Sequence, residues 1–210
     1  EFKTYVGIVI TATLLLTVTL LGTYSPGQAL RHGSFQVVTI VTTTGYSTAD
    51  FNTWPDISRT ILLLLMFVGA CTGSTAGSVK ILRWQLIAKH AYREVNKFLH
   101  PKAVLPIRHD GEIVPENVIN QVFAFTGLYM GLFVLGTLCM LGMGLDLLSA
   151  ASSVAAILGN VGPGLGSVGP MASYAHLPTA GKLLLTFMML IGRLEIFSVL
   201  AILTPAFWKR

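Results

Sequence analysis

The sequence predicts an all-α polytopic membrane protein built from two units, each a span, a short re-entrant helix and a second span. Three observations carry that prediction. Of the 210 residues 53% are hydrophobic and only 11% charged, with a mean hydropathy of +0.70, whereas soluble domains carry roughly 25% charged residues. Residues 5–24, 60–79 and 117–145 contain no Asp, Glu, Lys or Arg, and each reaches the roughly 20 residues a helix needs to cross a bilayer. A fourth apolar run, residues 183–208, is interrupted only by Arg193 and Glu195. Finally, residues 35–41 and 147–158 are apolar but too short to cross, and each lies between two of the long runs.

Taken in order, the first run follows Glu1-Phe2-Lys3 without a methionine or a signal-peptide pattern. It is therefore read as a span, and the chain as a fragment. Half of the 14 basic residues fall between Lys80 and Pro115, namely Lys80, Arg83, Lys89, Arg93, Lys97, Lys102 and Arg108. This marks the segment as cytoplasmic by the positive-inside rule. Lys3, Lys209 and Arg210 place both termini on the same side. An even number of crossings on each side of the basic loop follows, so the two short apolar stretches enter and leave by one face.

The two units also match in sequence. Laying residues 34–47 over 151–164 pairs Val37 with Val154, Ile40 with Ile157 and Gly45 with Gly162. After each short helix comes a polar stretch, Thr43-Thr44-Gly45-Tyr46 in the first unit and Asn160-Val161-Gly162-Pro163 in the second. Lipid cannot satisfy exposed backbone N–H and C=O groups, so such a stretch belongs against protein or along a water-filled path. An extended segment there can aim a row of carbonyl oxygens at an axis and replace the hydration shell of a cation. Glycine permits the backbone angles this requires, and the short helix turns its negative C-terminal end toward the same cation. The alternative is a pair of polar turns joining membrane helices.

Two further features stand out. Gly69-Ala70-Cys71-Thr72-Gly73-Ser74-Thr75-Ala76-Gly77 falls in the second half of the 60–79 run, where that density of Gly, Ser and Thr weakens a helix. The competing reading is small-residue helix packing, since Gly69, Gly73 and Gly77 have the G-x-x-x-G spacing. Arg193, fifteen residues into the helix that starts near Thr179, is costly within a bilayer and by default faces a partner or a wet cavity. Glu195 lies on a different helix face and is read as a structural polar residue.

Several classes are excluded. Cys71 and Cys139 each sit in an apolar run, and the five histidines show no ligand spacing, so neither a disulfide framework nor a transition-metal site is expected. The net charge of +5 is gathered in one loop and does not form a face for nucleic acid. Gly164-Leu165-Gly166-Ser167-Val168-Gly169 fits the dinucleotide-binding pattern, but a short helix precedes it and Pro170 follows, the wrong context for that motif. No nucleophile with its base and no Walker A loop is present, so neither an enzyme nor an organic cofactor is expected.

The stretches VTTTGYSTADFNTWP, GACTGSTAGSVKI, HPKAVLPI, GNVGPGLG, GRLEIFSVL and TPAFWK together resemble the C-terminal half of the TrkH family, membrane subunits of bacterial Trk potassium uptake systems in the Trk/Ktr/HKT superfamily. The resemblance covers essentially the whole chain. It implies four units around one potassium-channel-like pore, with the third at 1–95, a basic cytoplasmic loop at 96–115 and the fourth at 116–210. It implies filter carbonyls around Thr43, Thr44, Gly45, Tyr46, Asn160, Val161, Gly162 and Pro163, a movable intramembrane gate at Gly69 to Gly77, and Arg193 as an electrostatic barrier. It further implies the bacterial cytoplasmic membrane, an N-terminal half in the same polypeptide, a homodimer and a cytosolic nucleotide-binding regulator, TrkA. Neither filter stretch matches T-V-G-Y-G in full, so looser selectivity with some sodium passage is expected. An ion-coupled symporter and a non-conducting scaffold are the competing functions.

Overall fold

In the structure, a computed structural model that describes residues 1–100, 105–194, 196–204 and 208, the helices follow the apolar runs. Helix α1, Phe2–Leu20, and α5, Glu116–Gly142, are long and apolar enough to cross a membrane. The first short helix, α2, is longer than expected, spanning Pro26–Val41. Its start is set by polar chemistry that an apolar count overlooks: Ser25 and Gln28 form a capping box and Pro26 occupies the first turn, which fixes a helix start upstream of the apolar residues. The second, α6, is Leu147–Leu158 as predicted, with the Asp146 carboxylate accepting from the Ser149 N–H at 3.1 Å.

Both second spans are broken. Helix α3 covers only Asp56–Leu65, and the chain from 66 to 80 is irregular before α4, Ile81–Leu99, begins. The packing of Gly69, Gly73 and Gly77 as a helical G-x-x-x-G stripe is therefore overturned, because these residues are not helical. The run 183–208 is likewise not one span: α7, Thr179–Arg193, ends at the arginine and α8, Ile196–Leu203, follows. Glu195 lies outside the described residues. The basic segment is more ordered than a loop, since α4 fills its first half and a small antiparallel pair, β1 Arg108–His109 with β2 Glu112–Ile113, turns the chain into α5.

The core places α6 at the junction of the units. Ala155, Ala156, Val161 and Leu165 pack with Leu16, Ile40, Phe51, Leu62 and Met66 of the first unit. On its other side Val154 and Leu158 pack with Tyr129, Met140, Leu185 and Met188 of α5 and α7. Apolar packing on both sides leaves this helix almost entirely buried, so its C-terminal end and the chain after it are held in place by both units.

Candidate functional site

The two polar stretches adopt one backbone, repeated in the register the sequence alignment predicts. Thr43 and Asn160 both have positive φ, 55° and 57°, and Gly45 and Gly162 follow at 81° and 109°. The hydrogen bonds repeat as well. Thr44 and Gly45 donate to the Thr39 carbonyl at 2.9 and 3.4 Å, while Val161 and Gly162 donate to the Ala156 carbonyl at 2.7 and 3.3 Å. Left-handed angles cost non-glycine residues roughly 1–2 kcal/mol each, so the same pair of strained residues in both units reflects a shared constraint on the carbonyls.

The structure brings the two stretches together. A Cβ on Gly45 would run into the Val161 carbonyl oxygen and come 3.5 Å from Pro163 Cδ. Val161 is buried, whereas Tyr46 is exposed. Residues that motif reading missed support this arrangement from behind. The Tyr174 hydroxyl donates to the Gly162 carbonyl at 2.8 Å, and burial raises its pKa above the ordinary phenol value, so it acts as a donor throughout the physiological range. Asn52 ties the units together, its Nδ2 donating to Gly166 O at 2.7 Å and its Oδ1 accepting from Gly166 N at 2.8 Å. Ser152 Oγ accepts from Leu165 N at 2.8 Å and donates to Leu165 O at 3.1 Å, and Ser149 Oγ accepts from Ser167 N at 2.8 Å. The spacing of Ser149 and Ser152, one turn apart on a short apolar helix, is the signal that could have found them. Hydrogen bonding from Ser149, by its hydroxyl foremost and then by the backbone N–H that caps α6, lowers the Asp146 pKa.

Ser152→Ala is expected to leave a buried N–H without a partner. Such a group costs about 1–3 kcal/mol, so a lower Tm in detergent with unchanged helix content is the outcome to check. An unchanged Tm would remove Ser152 as a support.

Beside the two polar stretches lies the irregular segment. Its neck is closed by a bridge between Val68 and Val79, with Gly69 N to Val79 O at 2.9 Å, and by Ser78 Oγ donating to Met66 O at 2.6 Å. Its end touches both polar stretches: Gly77 N donates to Thr43 Oγ1 at 3.2 Å, and a Cβ on Gly77 would meet the Gly159 carbonyl and approach Asn160 Cβ at 3.0 Å. Arg193 donates from α7 to the Thr75 carbonyl. A cavity of about 220 Å³ opens here, walled by Ser74 to Ser78, Arg83, Phe125 and Arg193 among others. Irregular backbone, small residues and a cation therefore converge next to the paired polar stretches.

The TrkH family, described as a cation transport protein, matches residues 4–209. The chain belongs to the TrkH family. It is 41% identical over 204 residues to the Trk system potassium uptake protein TrkH of Halomonas elongata, covering 97% of this chain and 42% of that protein. TrkH of Escherichia coli K12 is 35% identical, covering 100% of this chain and 44% of that protein. The crystal structure of the potassium transporter TrkH from Vibrio parahaemolyticus superposes with a TM-score of 0.90 at 38% identity, covering 99% of this chain and 45% of that one. This TrkH-family chain thus spans less than half the length of these relatives, and its family is one of membrane transporters rather than enzymes.

Proposed function

We propose that the chain forms two of the four units around a potassium-selective path across the bacterial cytoplasmic membrane, residues 1–95 and 116–210, and serves potassium uptake. The observation that carries this reading is the duplicated backbone: matching left-handed residues and matching hydrogen bonds set Thr43 to Tyr46 against Asn160 to Pro163 at one junction. Carbonyls of both stretches replace the water around a dehydrated potassium ion. The ion moves passively down its electrochemical gradient. The segment Gly69 to Gly77 obstructs the inner side of the path, and Arg193 raises the local potential against cations.

The other two units come from an N-terminal half of the same polypeptide, the pore protein pairs as a homodimer, and TrkA docks on the cytoplasmic side. The basic segment and both termini face the cytoplasm. The test is potassium and sodium flux through the intact polypeptide in liposomes at an imposed potential and with no proton gradient. Potassium-preferring flux under these conditions supports the passive filter. Flux that requires a proton or sodium gradient replaces it with ion-coupled symport, and no flux under any gradient leaves a scaffold.

A further inference from the structure

Lys80 counts toward the positive-inside bias of its segment, but neither that bias nor helix chemistry explains where its ammonium lies. It stands at the N-cap of α4 without a side-chain cap bond, at a helix end that carries partial positive charge and disfavours a cation. Its ammonium instead turns back onto the irregular segment, donating to Ser74 O at 2.7 Å, Ser74 Oγ at 3.1 Å and Ala76 O at 2.5 Å. The carbonyl between these, that of Thr75, is held by Arg193. Three successive carbonyls are thus taken by two cations, one at the start of α4 and one at the end of α7.

On the reading that Gly69 to Gly77 is a gate, the geometry points to Lys80 as its second latch, a positioning residue that holds the obstructing conformation from within its own unit while Arg193 holds it from the other. The arrangement is directional. The neck at Val68 and Val79 and the Ser78 bond to Met66 fix the base of the segment, so only its middle can withdraw. Withdrawal breaks the Lys80 bonds together with that of Arg193. A further cavity of about 510 Å³, walled by Thr72, Gly73, Leu86, Gln121 and Phe197 among others, adjoins the segment near Lys80 and provides the space into which it moves.

The experiment compares Lys80→Met, Lys80→Arg and Arg193→Ala in the intact polypeptide reconstituted in liposomes. It reads potassium flux and, independently, the rate at which a water-soluble maleimide labels Cys71 in a background whose other cysteines are serine. Lys80→Met, which removes the three ammonium hydrogen bonds that hold the closed state, is expected to raise flux about tenfold and to speed Cys71 labelling in parallel. Lys80→Arg, which keeps charge and donors, stays within about twofold of wild type. If Lys80→Met does not reach the membrane, Lys80→Gln is read in the same way. Unchanged flux and labelling in Lys80→Met, with Arg193→Ala raising flux, overturns the latch and leaves the gate standing. If neither substitution changes flux in a conducting protein, the gate itself fails and the latch with it.

Discussion

Gly45→Ala is expected to abolish potassium preference in a protein that still inserts and assembles. Two effects act at one atom. The residue sits at φ +81°, where an L side chain costs roughly 1–2 kcal/mol, and its Cβ would collide with the Val161 carbonyl oxygen. That carbonyl cannot yield cheaply, because Val161 is buried and its own N–H is bonded to Ala156 O at 2.7 Å. The two stretches must therefore separate, and on the proposed reading the ion coordination they share is lost. Gly162→Ala provides the internal comparison. It has φ +109° but no atom within 4 Å of its added Cβ, so only the backbone strain applies and a smaller loss of selectivity is expected. Potassium and sodium flux measured side by side for both variants checks the ranking. A Gly45→Ala protein that keeps wild-type selectivity would exclude this junction as the filter.

Arg193→Ala is expected to raise flux at least about tenfold, which corresponds to only ~1.4 kcal/mol of barrier. On the proposed reading Arg193 acts in two ways, as a fixed cation lining the cavity beside the two stretches and as the donor that holds the Thr75 carbonyl. Both are removed together, whereas the filter stretches are untouched, so sodium flux rises in proportion and the potassium preference stays constant. Arg193→Lys keeps the charge and is expected to remain near wild type. A drop in flux, or a change in selectivity without a change in rate, would assign Arg193 to structure and not to the barrier.

The candidate site was legible in the sequence where its chemistry is local. The Gly45 and Gly162 pair announced a repeated backbone because left-handed angles select glycine, and the structure adds that Thr43 and Asn160 adopt left-handed angles two residues earlier. The segment Gly69 to Gly77 was readable as a helix breaker for the same reason, a dense run of poor helix formers. What escaped were several of the side chains that hold these segments in place. Tyr174 on the Gly162 carbonyl lies outside every stretch that carries the family resemblance, and Asn52 on Gly166 and Lys80 on Ser74 and Ala76 lie within such stretches but without an assigned role, since an ordinary polar side chain acquires its role only from what packing sets beside it. The start of α2 was missed for a different reason: its first turns are polar, and their signal lies in the capping box of Ser25 and Gln28 and not in hydropathy.

The sequence by itself determined that this protein is an all-helical membrane protein of two similar units, because apolar run lengths, charge placement and glycine positions act within windows of a few turns. Only the tertiary structure decided that the two units share α6, that Gly45 faces the Val161 carbonyl, and that Lys80 and Arg193 converge on three adjacent carbonyls. Apart from the Lys80 bonds, which reach only six and four residues back, those contacts join residues far apart in the chain. They exist because burying α6 on both sides fixes the relative placement of the units, and no local propensity encodes that placement.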